Sequence, residues 1–157
     1  MKITLLQIDR TDEKWLNEGI EKYEKRLSHY TGFETQTISI GKNIRSKSIG
    51  EQKKEEGRLL LKSLEKCDYI ILLDEKGKNF TSESFSKHIE KLGNDARKNV
   101  AFVIGGPFGF SEEVYKAAHQ KICLSEMTFS HQMVRLFFVE QLYRAFTIIR
   151  GEKYHHS

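Results

Sequence analysis

The run Asn99-Val100-Ala101-Phe102-Val103-Ile104, continued by Gly105-Gly106-Pro107-Phe108-Gly109-Phe110 and then by Ser111-Glu112-Glu113, decides the fold. The first part is apolar without alternation, which suits a strand covered on both faces. Glycines and the chain's one proline end it. Ser111 with two acids behind it opens a helix, because its hydroxyl can accept a free N–H and the acids suit the positive helix end. A buried strand turning straight into a helix is the repeating unit of a parallel α/β sheet.

The same unit recurs outward from this stretch. Lys2 to Ile8, Asp68 to Leu73 and the short Lys121 to Leu124 are apolar runs, and Phe33 to Ile40 alternates; all read as strands. Asp12 caps a helix reaching about Tyr30, which buries Trp15, Gly19, Ile20, Tyr23, Leu27 and Tyr30 and stops at Thr31-Gly32. Gly41 to Ser48 is a polar, basic loop. Helices follow over Ile49 to Lys66, from a cap at Thr81 or Ser82 to near Gly93, after Ser111, and over Gln132 to Ile149. Strand and helix alternate throughout. The fold class is therefore α/β, a mostly parallel sheet flanked by helices, in one domain over 1–157.

Composition agrees: 38% hydrophobic and 31% charged residues in 157 suit one soluble globular domain. No apolar run approaches the roughly 20 residues of a membrane helix, and Met1-Lys2-Ile3-Thr4-Leu5-Leu6 is too short and strand-like for a signal peptide. A cytoplasmic protein is expected. Cys67 and Cys123 lie in no zinc-like spacing and read as small buried apolar residues; no metal site is expected. The net charge of +4 fits a polyanionic partner or simply a lysine-rich surface. The signatures of dinucleotide-binding proteins, P-loop NTPases, zinc proteases and α/β-hydrolases are absent.

The last helix is apolar nearly all round, through Met133, Val134, Leu136, Phe137, Phe138, Val139, Leu142, Tyr143, Ala145, Phe146, Ile148 and Ile149. One domain this small covers one side of such a helix, so a second subunit in a two-fold homodimer is expected on the other.

Ligands of open α/β sheets bind beyond the carboxyl ends of the strands. Three loops qualify: Leu73 to Lys78, Gly105 to Phe110, and Leu124 to Phe129. Gly105 and Gly106 let backbone amides approach a ligand, or else only shape a tight turn. The tail Arg150-Gly151-Glu152-Lys153-Tyr154-His155-His156-Ser157 places a cation, a phenol and two imidazoles after the last helix. These groups can stack on bases and titrate, although composition alone reads them as a frayed terminus or a tag remnant. Lys42, Arg45, Lys47, Lys53, Lys54 and Arg58 either contact phosphates or form a solvated face interrupted by Glu51, Glu55 and Glu56.

At these loops the chain becomes recognisable. Phe102-Val103-Ile104-Gly105-Gly106-Pro107-Phe108-Gly109, Leu124-Ser125-Glu126-Met127-Thr128-Phe129-Ser130-His131-Gln132-Met133-Val134-Arg135, Glu140-Gln141-Leu142-Tyr143-Arg144-Ala145-Phe146 and Tyr154-His155 closely resemble the ribosomal large subunit pseudouridine methyltransferases of the SPOUT superfamily. The likeness runs the length of the chain. It implies a C-terminal trefoil knot, against the usual avoidance of knots. It implies S-adenosylmethionine (SAM) bent in that knot near a dimer interface, on Leu73, Gly105, Leu124, Ser125, Glu126, Met127, Thr128 and Phe129. It further implies methyl transfer to N3 of a pseudouridine in helix 69 of 23S rRNA, on the assembled 70S ribosome. Members of the family it resembles usually carry proline where Ser130 stands, and Gln7-Ile8-Asp9-Arg10 differs from the Val-Gly-Lys-like loop of many of them; serine can instead cap the following helix.

The sulfonium methyl is already electrophilic, so the reaction asks for positioning and a proton acceptor rather than a metal. His131 and His155 are the acceptors expected, Tyr154 a stacking group, and Arg144 a phosphate or base contact. His131, at a helix start, is otherwise an orienting or capping residue. Two other readings of the chain are a non-catalytic ribosome- or RNA-binding module of the same fold, and a tRNA methyltransferase.

Overall fold

The computed structural model describes residues 1–156; Ser157, the last residue of the tail, lies outside the described residues. Five strands form one sheet in the order β2-β1-β4-β3-β5, with every pairing parallel. They are β1 (Lys2–Ile8), β2 (Gly32–Ile38), β3 (Tyr69–Asn79), β4 (Asn99–Ile104) and β5 (Gln120–Cys123). The helices are α1 (Lys14–Leu27), α2 (Lys42–Arg45), α3 (Ile49–Leu64), α4 (Ser82–Asn94), α5 (Glu112–Ala117) and α6 (Met133–Ile149).

Alternate strand residues face opposite sides, and two cores result. Ile3, Leu5, Ile71, Val100 and Phe102 meet α1, α4 and α6 through Leu16, Ile20, Phe85, Ile89, Phe138 and Leu142. Leu6, Ile8, Leu72, Ala101 and Val103 meet α3 and α5 through Leu60, Leu64 and Val114. The result is a three-layer sandwich with β4 fully buried from Val100 to Ile104, as its unbroken apolar run requires.

Local chemistry sets the helix starts. Ser48 accepts the Glu51 N–H, Ser111 accepts the Val114 N–H, and Thr81 forms a reciprocal capping box with Ser84. Asp12 does not cap α1: the preceding residue is Glu13, with no side-chain cap, and the Asp12 N–H is drawn instead to Gln132 Oε1 at 3.0 Å. Trp15, expected inside, is 57% exposed; the buried face of α1 runs through Leu16, Ile20 and Leu27. The loop expected over Gly41 to Ser48 contains one helical turn, α2. Strand β3 runs six residues beyond Leu73, the end expected from sequence. None of the described helices is long and apolar enough to cross a membrane. Cys123 is buried and Cys67 half-buried, and both are free; burial pushes the Cys67 thiol above its ordinary range.

Helix α6 lies between α1 and α4. The monomer buries Phe138, Val139, Leu142 and Ala145 completely. The other side stays partly open: Phe137 is exposed, and Met133, Val134, Tyr143 and Ile148 are half-buried.

Candidate functional site

The carboxyl ends of β4, β3 and β5 lie side by side, so the three loops converge. They enclose a cavity of about 660 Å³. Leu73, Gly105, Leu124, Ser125, Met127, Thr128 and Phe129 line it, and His131 stands at its wall. Glu126 is exposed and outside the lining.

The Gly105-Gly106 turn is both a tight turn and a close approach. A Cβ on Gly105 would stand 3.1 Å from the Phe110 ring, and one on Gly106 would stand 2.9 Å from Glu56 Oε1. Gly109 takes the left-handed conformation, φ 79°, and its N–H closes the turn on the Gly106 carbonyl at 3.1 Å. Side chains are excluded here because the turn is packed from behind, which leaves its backbone facing the cavity.

What packs it is a buried acid. Glu56 is 2% exposed; its Oε1 accepts from Gln52 Nε2 at 3.1 Å and its Oε2 has no partner. Burial pushes its carboxyl above the ordinary range, opposed by the Gln52 hydrogen bond. A carboxyl raised in the folded state costs nothing below its unfolded value and destabilises increasingly as pH rises through the folded one. Glu56→Gln, of the same shape, is therefore expected to raise Tm at pH 8 by about 2–4 °C, the response to roughly 1 kcal/mol in a domain of this size. Near pH 4 it should leave Tm unchanged. Thermal melts across that range check it, and an equal gain at both ends would mean that ionisation is not the cause.

The second wall is the segment read from sequence as the Leu73 to Lys78 loop. It belongs to β3, but its pairing with β5 breaks after Leu73 opposite Ile122 and resumes at Lys78 opposite the same residue. Residues 74 to 77 bulge outward as a result. Asp74 fixes the bulge, accepting the Lys76 N–H at 2.8 Å and the Tyr115 hydroxyl. Burial, and then this carboxylate, push the Tyr115 phenol well above its usual range. Gly77 touches β5 so closely that a Cβ would lie 2.5 Å from the Ile122 backbone.

The third wall leads into α6. Ser125 Oγ accepts the Met127 N–H at 3.0 Å, and the Phe129 and Phe137 rings pack 4.7 Å apart. Ser130 Oγ accepts the Met133 N–H at 3.1 Å and its carbonyl accepts the Val134 N–H at 3.1 Å, which ties the loop to the first turn of α6. Burial first, and the nearby Arg135 charge second, hold the His131 imidazole below its ordinary range. A neutral ring at pH 7 can accept a proton.

Arg144, Tyr154 and His155 are not at this cavity. They form a second cluster towards the other end of α6, where Met133 and Arg144 are about 16 Å apart along the axis at 1.5 Å per residue. Arg144 bridges Glu140 Oε1 at 2.6 Å, lies 3.3 Å from His155 Nδ1, and stacks over the Tyr154 ring at 4.7 Å. Tyr154 donates to Glu140 Oε1 at 3.0 Å, and His155 Nε2 meets Glu83 Oε1 at 2.8 Å. Burial, then hydrogen bonds to Tyr23 and Glu140, push the Tyr154 phenol far up. Tyr30 donates to Glu152 at 2.6 Å, and this bond pushes its phenol up to about 12. As far as His155 the tail is thus docked on α1, α4 and α6, not frayed as its composition suggested.

The basic stretch divides. Arg45 pairs with Asp9 and Arg58 with Glu55, Lys53 lines the cavity, and Lys42, Lys47 and Lys54 are exposed. Among the described residues, no group of three or more His, Cys, Asp or Glu is placed to hold a metal ion. Sequence reasoning gave no role to Tyr115, Lys53 or Glu56 at the cavity. The first two reach it from separate helices. For Glu56 a signal existed: it falls on the inward side of α3, in register with Gln52 and Leu60.

A family model described as "Predicted SPOUT methyltransferase" matches residues 1–155. The chain is 54% identical over 157 residues to the ribosomal RNA large subunit methyltransferase H of Parabacteroides distasonis, covering all of both chains. It is 54% identical over 156 residues to the protein of the same name in Christiangramia forsetii, covering 99% of each. Among solved structures, a probable methyltransferase from Bordetella pertussis superposes with a TM-score of 0.52 at 11% identity, over 92% of this chain and 96% of that one, which shows a shared fold. With a glycine turn, a bulged strand and a helix-capping loop converging at one end of a parallel sheet, and with a family model matching almost its whole length, this chain belongs to the SPOUT methyltransferase family.

Proposed function

We propose that this protein is a cytoplasmic homodimer that methylates N3 of a pseudouridine in helix 69 of 23S rRNA, on the assembled ribosome. The observation that carries the substrate is the end-to-end identity above half with proteins named as ribosomal RNA large subunit methyltransferases. SPOUT methyltransferases use SAM, and the cavity fits it. Its volume suits a ligand of that size. Leu73, Ile104, Leu124, Phe129 and Val134 offer apolar walls, and the Gly105-Gly106 backbone offers hydrogen-bonding edges that a Cβ would block. Of the residues expected to hold the cofactor, the seven lining ones are retained for that role; Glu126 would contribute backbone only. The family's knot is assigned to the path from β5 through residues 124–132 into α6.

When bound, the cofactor supplies an electrophilic methyl on a sulfonium. The chain's own groups hold the base and manage its proton. His131, kept neutral by burial and by Arg135, stands at the cavity wall to accept the N3 proton. Tyr154 offers a ring and Arg144 a cation for a base turned out of its stack.

These two groups sit too far along α6 to serve the same chain's cavity. A two-fold pairing through the open side of α6 brings the tail cluster of one copy to the cavity of the other. That pairing would also cover Phe137 and its half-buried neighbours, so one arrangement accounts for both features.

The test is methyl transfer from labelled SAM to ribosomes from cells lacking this modification, with naked 23S rRNA and tRNA as parallel substrates. Label on one pseudouridine of the assembled ribosome is expected. Label only on tRNA or naked rRNA would remove the substrate but keep the reaction. No label and no SAM binding by calorimetry would leave a non-catalytic binding module.

A further inference from the structure

Arg135 occupies the third position of α6 and is fully buried. Its Nη2 donates to the Ile8 carbonyl at 2.6 Å and its Nη1 to Thr11 Oγ1 at 2.9 Å, while Nε has no partner. Among the described residues no carboxylate pairs with it: Asp9 is engaged by the Ile40 N–H at 3.0 Å and by Arg45, and Asp12 is exposed. An unpaired cation out of water is costly, and at the positive end of a helix it is doubly misplaced. Stability does not explain it.

Its contacts suggest what does. The chain reverses at Asp9, φ 57°, directly after the carbonyl that Arg135 holds. Gln132 clips the same loop, taking the Asp12 N–H at 3.0 Å and giving to the Arg10 carbonyl at 3.4 Å. The β1–α1 loop and the first turn of α6 are thereby one unit, and His131, four residues before Arg135, faces the cavity at its edge together with Val134.

We infer that Arg135 is a positioning residue for methyl transfer: its buried guanidinium ties the β1–α1 loop to the start of α6, and so fixes both where His131 stands and what charge it carries. The inference rests on the reading of His131 as proton acceptor. The charged groups acting on His131 are Arg135 on α6 and Asp9 and Asp12 on the loop; Lys53 on α3 and Asp74, Glu75 and Lys76 on β3 face it across the cavity. The two loop carboxylates favour a protonated ring, whereas burial and Arg135 oppose it and prevail. Without Arg135 the carboxylates act unopposed by any charge on α6, and the ring binds its proton more tightly.

The experiment follows the His131 ring by NMR titration and the methyl-transfer rate by pH, in the full-length protein. Arg135→Gln is expected to raise the His131 midpoint by roughly half a unit or more and to move the acidic limb of the rate profile with it. Arg135→Lys keeps the charge but loses the two-pronged grip; its midpoint should hold while kcat falls about tenfold. An unmoved midpoint in Arg135→Gln overturns the inference. A midpoint that moves while the acidic limb stays upholds Arg135 as the group setting the charge of His131 and instead removes His131 from the reaction. If Arg135→Gln does not fold, Arg135→Lys and Thr11→Val carry the test, and unchanged kcat in both overturns the positioning role.

Discussion

Gly77→Ala is expected to weaken SAM binding by about 100-fold or more, because misplacing a site by about 1 Å has effects of that order. The added methyl would lie 2.5 Å from both the N and C atoms of Ile122 and 2.6 Å from the Lys121 carbonyl carbon. Backbone atoms, unlike the end of a flexible side chain, cannot swing aside. Strand β5 is bonded to the sheet only through β3, on both sides of the bulge. Either β5 moves off its neighbour or residues 74 to 77 move into the cavity, and both outcomes displace the Asp74 and Leu73 wall. Overpacking of this kind also costs about 1–3 kcal/mol of stability. Calorimetry with SAM and a thermal melt check both effects. Gly50→Ala, where a Cβ would meet nothing within 4 Å, is the control and should bind as the parent does. Parent-like binding by Gly77→Ala would mean that the bulge is no part of the site.

Mixed dimers should show an equally large effect. His131→Ala and His155→Ala are each expected to lower kcat by about two orders of magnitude or more, the usual worth of a positioned acid–base group. Refolded together, they should recover about one quarter of parent activity. Half of the dimers pair one of each, and in those one cavity meets an intact tail while the other meets neither. If each chain completed its own site, every site in the mixture would still lack one histidine and nothing would return. The measurement is the methyl-transfer rate on ribosomes across mixing ratios, with a maximum at equal amounts. A flat line would sink the shared site.

Local chemistry decided much of the architecture in advance. Val100 to Ile104 could be satisfied only between two layers, and Ser111, with Thr81 as one of two candidates, marked helix starts by hydroxyls that accept free amide N–H groups. The three cavity loops were legible too, since parallel strands put their carboxyl ends on one edge. Trp15 shows where such reading fails. Periodicity placed it on the apolar face of α1, but it is exposed, and Leu16 takes the inward place. The extension of β3 past Leu73 was illegible for a related reason. Asp74-Glu75-Lys76-Gly77 has loop chemistry, and what makes it part of a strand is the pairing with β5 that resumes at Lys78 and Asn79.

The catalytic candidates divide along the same line. Their residue types were evident, because imidazoles, a phenol and a guanidinium can do acid–base and stacking work wherever they fall. Their grouping was not, because it depends on distances between segments remote in the chain. His131 and Arg144 lie thirteen positions apart yet belong to separate clusters, while Glu83 and His155, seventy-two positions apart, touch at 2.8 Å. Sequence by itself determined the alternation of strand and helix, the apolar girth of α6 and the loops that line the cavity, since these follow from local pattern and chain direction. Only the tertiary structure decided that Glu56 supports the glycine turn, that Arg135 is sealed beside His131, and that the tail folds back onto α6, since burial and charge environment are properties of packed neighbours.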